Sequence, residues 1–193
     1  MEYPIVETFF SIQGEGFHVG RPVNFIRLAG CPIDCEFCDT DKESKETLTE
    51  YQLVERMRKG FPVVITGGEP CIHNLTSLTS GLREKGFPIY LETSGTQPIT
   101  GSFNYVAVSP KKTHHFTKQA AELADEVKWL VPLWTLEEIQ LLSRFFTYLA
   151  KHFIQPVNDF RGINAQNVKL AIEVATALNW PISIQMHKVI HAR

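Results

Sequence analysis

The chain repeats one pattern along most of its 193 residues, in which a short apolar segment is followed by a segment with helical spacing. Near-continuous apolar segments lie at residues 23–28, 62–66 and 89–92. Strands of a parallel sheet that is buried on both faces have this composition, whereas half-exposed strands alternate apolar and polar residues. The pattern therefore predicts an α/β fold with parallel strands.

The remaining elements follow from the same reasoning. Further strands are predicted at residues 105–108, 127–131, 152–154 and 182–185. Two capping boxes, beginning at Thr49 and Thr135, mark helix starts, and a longer helix is predicted at residues 165–178. The second capping box begins a helix with Ile139, Leu142, Phe146 and Leu149 on one face.

The length of the chain selects among α/β architectures. A complete eight-fold barrel takes roughly 250 residues, which exceeds the length available. We expect an incomplete (β/α)6 TIM-like barrel with parallel strands, formed by residues 1–193 as a single domain. A doubly wound open sheet is the alternative.

Polar or glycine-rich loops follow the predicted strands. They lie at residues 31–40, 67–70, 93–96, 109–111, 155–156 and 187–188. The carboxyl ends of parallel strands face one way, so these loops should converge on one mouth. The sequence therefore predicts an active site there.

Three of the four cysteines, Cys31, Cys35 and Cys38, are spaced C-x3-C-x2-C on one of these loops. Three thiolates can hold a 4Fe-4S cluster and leave one iron open to a small-molecule ligand. The alternative is a structural zinc site with Cys71 as fourth ligand. Zinc sites favour paired C-x2-C elements, so the spacing favours the cluster.

The composition excludes other classes of function. The chain is 44% hydrophobic and 21% charged, with a formal net charge of -2, which argues against a large basic nucleic-acid-binding face. No signal-peptide pattern is visible at the N-terminus, and no apolar run approaches the roughly 20 residues that span a bilayer. We expect a cytoplasmic protein with no membrane contact.

The cysteine loop, with Phe37 before its last cysteine, and residues 67–70 (Gly-Gly-Glu-Pro) resemble the radical S-adenosylmethionine superfamily. Within it the chain resembles the 7-carboxy-7-deazaguanine synthase family from end to end. The matching segments are residues 10–16, 25–32, 38–40, 64–71, 92–96, 109–111, 155–156 and 185–188. The resemblance implies a lyase that contracts the ring of 6-carboxy-5,6,7,8-tetrahydropterin with loss of ammonia, in queuosine biosynthesis.

The resemblance also implies cofactors and the residues that bind them. Cys31, Cys35 and Cys38 would hold the 4Fe-4S cluster, and Thr40 would bind Mg2+. The residues implied for S-adenosyl-L-methionine are Phe37, Asp39, Gly68, Glu69, Ser94, Ser109, Pro110, Lys111, Gln155 and Pro156. An electron donor such as flavodoxin and a homodimer are also expected.

The predicted substrate site suits a pterin that carries a carboxylate. Arg27 can pair with the carboxylate, while Glu15 and Gln13 can read the amidine edge. The residues implied for the substrate are Ile12, Gln13, Gly14, Glu15, Arg27, Thr66, His187 and the carboxylate of Arg193.

Other interpretations of the same residues remain open at this point. A glycyl-radical enzyme activase would share the cysteines and residues 67–70, but it gives no reason for the loop at residues 13–16 or for Thr40. A metal-binding module without catalysis would not need polar groups at so many strand ends. Arg27 alone could form an ion pair with a nearby carboxylate, and His187 alone could be a structural histidine.

Overall fold

Eight strands form one sheet across the residues that the computed structural model describes, which are 1–38, 40–158 and 162–192. The strands are β1 (Glu2–Ile12), β2 (Pro22–Leu28), β3 (Glu46–Thr49), β4 (Val63–Gly67), β5 (Ile89–Thr93), β6 (Tyr105–Val108), β7 (Glu126–Val131) and β8 (Lys151–Pro156). Their order in the sheet is β3-β1-β2-β4-β5-β6-β7-β8. Neighbours from β2 to β8 in this order pair in parallel, which confirms the predicted parallel sheet.

Strand β1 departs from the predicted pattern, because it is antiparallel to both β2 and β3. A turn between β1 and β2 reverses the chain. It is closed by the Gln13 amide, which donates to the Arg21 carbonyl over 2.7 Å, and by the Gly20 amide, which donates to the Gln13 carbonyl over 2.8 Å. Two antiparallel strands thus extend the parallel sheet at one edge.

Four of the α-helices in the described residues lie between strands, and the last two follow β8. The helices are α1 (Glu50–Arg56), α2 (Thr76–Glu84), α3 (Lys118–Leu123), α4 (Leu136–Leu142), α5 (Ala165–Leu178) and the short α6 (Met186–Val189). Helices α1 and α4 both begin with the predicted capping boxes, at Thr49 and Thr135. Among the described residues, none of the helices has the length and apolar character needed to cross a bilayer.

The sheet has one apolar face and one face that is largely polar near the strand ends. In β4, Val63 and Ile65 lie in the large apolar core, whereas Val64 packs in a small cluster with Val23 and Phe25. The buried apolar residues of α1–α5 all belong to the large core. These helices therefore cover one face, as in an incomplete barrel, whereas a doubly wound sheet has helices on both faces.

Two local predictions were wrong. The predicted strand at residues 182–185 is reduced to a single bridge between Ile182 and Ile154, because the chain then turns inward toward the sheet and begins α6. Helix α4 ends at Leu142, before the predicted positions of Phe146 and Leu149 on its face. Phe146 still reaches the core, but Leu149 is exposed.

Candidate active site

Two adjoining cavities open at the carboxyl ends of the parallel strands. We call the first the cluster-side cavity, because Cys31, Cys35 and Cys38 line it together with residues at or after the ends of β4–β8. We call the second the β1-side cavity, because residues of β1, the loop after it, β2 and α6 line it. The residues that line both cavities are Glu15, Thr40, Thr66, Gly67, Glu92 and Gln185.

Most of the predicted site residues line one cavity or the other, whereas Glu15, Thr40 and Thr66 line both. Of the residues predicted to bind the nucleotide, the cluster-side cavity is lined by Phe37, Gly68, Ser94, Ser109, Lys111, Gln155 and Pro156. Of the residues predicted for the substrate, the β1-side cavity is lined by Ile12, Gln13, Gly14, Glu15, Arg27, Thr66 and His187. Thr40 lines both, whereas the predictions for Asp39 and Arg193 lie outside the described residues.

Two residues predicted to bind the nucleotide are not part of the cavity lining. Glu69 is 1% exposed, and Pro110 is also buried. The Pro110 carbonyl accepts a hydrogen bond from Trp134 Nε1 over 3.2 Å. Both residues therefore lie just behind the walls of the site.

The cysteine loop is tied at its base. The Gly30 amide donates to the Lys42 carbonyl over 2.9 Å, and Lys42 Nζ donates to the Ile33 carbonyl over the same distance. Inside the loop, the Cys38 amide donates to the Cys35 carbonyl. These bonds keep the three partly exposed thiols directed at one cavity.

The thiols fit an iron-sulfur cluster better than a single ion. Burial raises the pKa of Cys35, while nearby Lys111 acts in the opposite direction. Within residues 1–38, 40–158 and 162–192, no three His, Cys, Asp or Glu side chains are grouped as one metal ion requires. Cysteines that each bind a different iron of a cluster need no such grouping.

Cys71 has the properties of a packed core residue. It is 5% exposed, and burial raises the pKa of its thiol to about 12. It does not line the cavity that the other cysteines share. A zinc site that needs Cys71 as fourth ligand therefore does not fit this geometry.

Two glycines, one that ends β4 and one that follows it, let the chain approach the cysteine loop closely. The Gly68 amide donates to the Leu28 carbonyl over 3.3 Å. A Cβ atom on Gly67 would lie 2.1 Å from the Leu28 oxygen, and one on Gly68 would lie 2.3 Å from the Gly30 oxygen. Since real Cβ atoms do not approach backbone this closely, both positions require glycine.

Glu69 connects the ends of β4 and β5. Its carboxylate accepts hydrogen bonds from Thr93 Oγ1 over 2.6 Å, from the Ser94 amide over 2.7 Å and from Ser94 Oγ. The Cys71 amide also donates to it over 3.0 Å. These bonds satisfy a buried carboxylate and fix Ser94 at the cavity wall.

A polar pair follows β6 in the same cavity. Lys111 Nζ donates to Ser109 Oγ over 2.8 Å. Burial lowers the pKa of Lys111, and Cys35 acts in the opposite direction. The pair places an amine and a hydroxyl where a ligand in the cluster-side cavity can reach them.

The wall between the cavities contains a buried ion pair. Lys128 Nζ lies 2.5 Å from Glu15 Oε2, and Gln185 Nε2 donates to Glu15 Oε1 over 2.8 Å. Burial by itself would raise the pKa of Glu15, but Lys128 outweighs it and lowers that pKa to about 2. The pKa of Lys128 is raised, because Glu15 and Glu92 outweigh the effect of burial.

Sequence analysis missed Lys128, which it included in the predicted strand without a role. The available signal was a lysine between Val127 and Trp129, both of which lie in the large core. Side chains alternate along a strand, so a charge at the intermediate position points to the opposite face.

The loop after β1 meets α6 at the β1-side cavity. The Met186 amide donates to the Gly14 carbonyl over 2.8 Å. A Cβ atom on Gly14 would lie 2.0 Å from His187 Nδ1, so glycine is needed for the imidazole to pack here. Beside it, Gln13 Nε2 donates to Glu92 Oε1 over 2.9 Å.

Arg27 lies in an ion pair and also lines the β1-side cavity. Its Nε atom lies 3.0 Å from Glu7 Oε1. The ion pair that sequence analysis left open for Arg27 is therefore present. That bond uses one of the five N–H groups of a guanidinium. Phe9 stacks on Phe25 beside Arg27, with ring centroids 4.7 Å apart.

The arrangement suits two ligands held side by side. The cluster-side cavity offers thiols, hydroxyls and an amine, whereas the β1-side cavity offers a guanidinium, amides and carboxylates. Groups in the shared wall can contact both ligands at once. Such an arrangement can hold a reactive atom of one ligand against an atom of the other.

Comparisons with known proteins identify relatives of this chain. A scan against protein-family models finds no match. The chain is 36% identical to the 7-carboxy-7-deazaguanine synthase of Escherichia coli (strain K12), with 99% of each chain covered. It is also 36% identical to the 7-carboxy-7-deazaguanine synthase of Synechocystis sp., with 100% of this chain and 95% of the relative covered.

Solved structures give the same result. The crystal structure of QueE from Escherichia coli has a TM-score of 0.78 at 32% sequence identity, and the match covers 96% of this chain and 95% of QueE. Streptococcus suis SuiB, at a TM-score of 0.54 and 14% identity, shares the fold alone. By its near-complete alignment with curated relatives, the chain belongs to the 7-carboxy-7-deazaguanine synthase family.

Proposed function

We propose that this chain is a 7-carboxy-7-deazaguanine synthase of the radical S-adenosylmethionine superfamily. It contracts the ring of 6-carboxy-5,6,7,8-tetrahydropterin with loss of ammonia, a carbon–nitrogen lyase reaction of queuosine biosynthesis. The observation that supports the proposal is the pair of adjoining cavities, one lined by most of the predicted nucleotide residues and the other by most of the predicted substrate residues, with Glu15 and Thr66 in the wall that both share. A glycyl-radical enzyme activase is not favoured, because the relatives are named as synthases of a small molecule.

The cluster-side cavity is proposed to hold the 4Fe-4S cluster and S-adenosyl-L-methionine. When bound, these groups supply a 5'-deoxyadenosyl radical. The chain contributes Cys31, Cys35 and Cys38 as cluster ligands, in a loop whose base is fixed by backbone bonds. Lys111 and Ser109 offer an ammonium and a hydroxyl to the polar parts of the nucleotide, since Lys binds carboxylates as a point charge.

The β1-side cavity is proposed to hold the pterin. Arg27 keeps N–H groups beyond its bond to Glu7, and these can pair with the carboxylate of the substrate. Glu15 is ionised and can accept hydrogen bonds from the N–H groups of the pterin edge, beside Gln13. His187 packs over Gly14 and closes the same cavity.

Thr40 is proposed as the Mg2+ ligand. It lines both cavities, and Asp41 next to it lines the β1-side cavity. Magnesium usually keeps several water ligands and takes few protein groups, so one hydroxyl suits a site completed by substrate oxygens. An ion at this position would polarise the substrate carboxylate.

Several further parts of the proposal rest on the family resemblance. We infer that the chain acts as one domain over residues 1–193, forms a homodimer and works in the cytoplasm. An electron donor such as flavodoxin would reduce the cluster. No direct contact with nucleic acid or membrane is proposed.

The decisive experiment is anaerobic reconstitution with iron and sulfide, followed by incubation with the carboxytetrahydropterin, S-adenosyl-L-methionine, Mg2+ and dithionite. We expect a brown protein that releases ammonia and forms 7-carboxy-7-deazaguanine, measured by mass spectrometry. Omission of the pterin is the control and should give no ammonia. A colourless protein with stoichiometric zinc, or a brown protein that releases no ammonia, would overturn the proposal.

A further inference from the structure

Lys128 is a buried cation that the ligand contacts proposed above do not include. Its side chain is 7% exposed and lies on the inner face of β7. A buried ammonium is costly unless it is paired, and here Nζ lies 2.5 Å from Glu15 Oε2. Glu15 comes from the loop after β1, which is remote in sequence from β7. The pair therefore joins the loop that builds the β1-side cavity to the parallel sheet.

Glu15 is held from two directions. Lys128 contacts Oε2, while Gln185 Nε2 donates to Oε1 over 2.8 Å. A carboxylate has about four acceptor positions, so two partners leave capacity for a ligand. With both oxygens fixed, the carboxylate can present its remaining lone pairs in one orientation only.

We propose that Lys128 is a positioning residue that fixes the Glu15 carboxylate, in its ionised form and in one orientation, to accept the N–H edge of the pterin. The inference rests on the proposed function, because it assigns Glu15 to that substrate. Lys128 lines the cluster-side cavity, while Glu15 lines both cavities. Lys128 therefore acts on substrate binding from the opposite side of the shared wall.

A proton-transfer role for the pair does not fit the charges around it. Glu92 and Glu126 also face Lys128, and together with Glu15 they raise its pKa. Glu15 has its pKa lowered to about 2. Neither member of the pair exchanges its proton near neutral pH, so its contribution is electrostatic and geometric.

Replacing Lys128 by a neutral residue should make substrate binding depend on pH. Burial then raises the pKa of Glu15, against the smaller opposing influence of Gln185 and His187. The other charged groups around the pair are Glu92 and Glu126, which act on Lys128, and Lys111, on which Glu15 acts. As pH falls, a larger fraction of Glu15 is protonated. A protonated carboxyl loses an acceptor position, so affinity for the pterin should fall with it.

The test measures pterin binding to the reconstituted protein without reductant, by anaerobic isothermal titration calorimetry at pH 6 and pH 8. For Lys128→Met we expect affinity roughly 10- to 100-fold below that of the native protein at pH 6, with partial recovery at pH 8. Lys128→Arg keeps the positive charge, so the ratio of its pterin affinities at pH 6 and pH 8 should equal that of the native protein. Lys169→Met makes the same chemical change on the exposed side of α5 and should match the native protein at both pH values.

Two outcomes would overturn the assignment of Lys128. One is a native affinity in Lys128→Met, and the other is a loss that is equal at both pH values, with or without rescue by Lys128→Arg. If Lys128→Met does not fold, the double variant Glu15→Gln, Lys128→Met removes both buried charges. It should bind weakly with no pH dependence, and native affinity in it would also refute the assignment.

The proposed function is tested separately by ammonia release from the native protein. A native protein that releases no ammonia contradicts the function. A native protein that releases ammonia, combined with pH-independent binding in Lys128→Met, contradicts the role of Lys128 alone.

Discussion

The two cavities are assembled in different ways. The cluster-side cavity is built mainly from loops that follow successive parallel strands, with contacts between neighbouring strand ends such as Glu69 to Ser94. The β1-side cavity joins segments that are far apart in sequence, as in the bond from the Met186 amide to the Gly14 carbonyl. The first therefore depends on local motifs, and the second depends on long-range packing. Variants that damage one cavity without the other can test this separation.

The largest effect is expected in the cluster-side cavity. Cys35→Ala removes one of the three proposed cluster ligands and should abolish cleavage of S-adenosyl-L-methionine, with or without the pterin. Iron content after anaerobic reconstitution and formation of 5'-deoxyadenosine measure this. Cys71→Ala is the matched control, because Cys71 is buried outside the cavity and should leave the iron content unchanged. Equal loss of iron in both variants would contradict the assignment.

A smaller and more selective effect is expected in the β1-side cavity. Arg27→Ala removes the proposed partner of the substrate carboxylate and should lower kcat/KM for the pterin about 100-fold. Because Arg27 does not line the cluster-side cavity, 5'-deoxyadenosine formed without substrate should stay within about twofold of native. Arg144→Ala, at an exposed position, is the control for loss of an arginine. Parallel loss of both reactions in Arg27→Ala would show that the cavities are not separable.

The junction between the loop after β1 and α6 should be sensitive to one methyl group. Gly14→Ala places a Cβ atom 2.0 Å from His187 Nδ1, so the imidazole must move, and we expect about a tenfold rise in KM for the pterin. Gly81→Ala lies inside helix α2 with ordinary packing distances and should stabilise the protein by about 0.5–1 kcal/mol. Substrate kinetics and thermal unfolding of the two variants provide the measurement. An unchanged KM in Gly14→Ala would place His187 outside the substrate contacts.

The smallest effect concerns acid stability and arises outside both cavities. Burial lowers the pKa of His152 to about 4, and its Nδ1 accepts a hydrogen bond from Trp129 Nε1 over 3.1 Å. The unfolded chain therefore binds more protons between about pH 6.5 and pH 4, and the free energy of unfolding falls as pH falls through that window. His152→Gln keeps an acceptor and should reduce this pH dependence, measured by urea unfolding followed by tryptophan fluorescence.

Exposed His115→Gln is the control for that measurement and should keep the native pH dependence. The pKa of Glu15 is lowered from 4.5 to about 2, so the stabilisation from the buried pair between the cavities is lost mainly below about pH 4.5 and overlaps only the acid end of this window. If His152→Gln and the native protein lose stability equally, another group carries the acid sensitivity.

Much of the fold could be predicted because its signals are local. Apolar runs indicated the parallel strands. Capping boxes at Thr49 and Thr135 predicted the starts of α1 and α4, and the predicted bounds of α5 agree with the structure. The direction of β1 and the existence of β3 could not be predicted, because an antiparallel strand next to a parallel sheet leaves no local mark in the sequence. The inward turn after Ile182 could not be predicted for the same reason.

The candidate site shows the same division. Motif residues such as Ser109 and Lys111 line the cavity predicted for them, because strand ends in a parallel sheet share one edge. The ion pair between Glu15 and Lys128 spans 113 positions, and the bond from Gln185 to Glu15 spans 170. Neither partner choice follows from spacing, since it depends on how the folded segments meet.

The bond between Gly14 and Met186 has a consequence for the order in which the protein becomes functional during synthesis. A ribosome has already made the cysteine loop and β4–β8 when residues 183–188 are still to be added. A nascent chain at that stage carries every proposed cluster ligand but lacks Gln185 and His187, which line the β1-side cavity. The ability to hold the cluster should thus appear during translation before the ability to recognise the pterin.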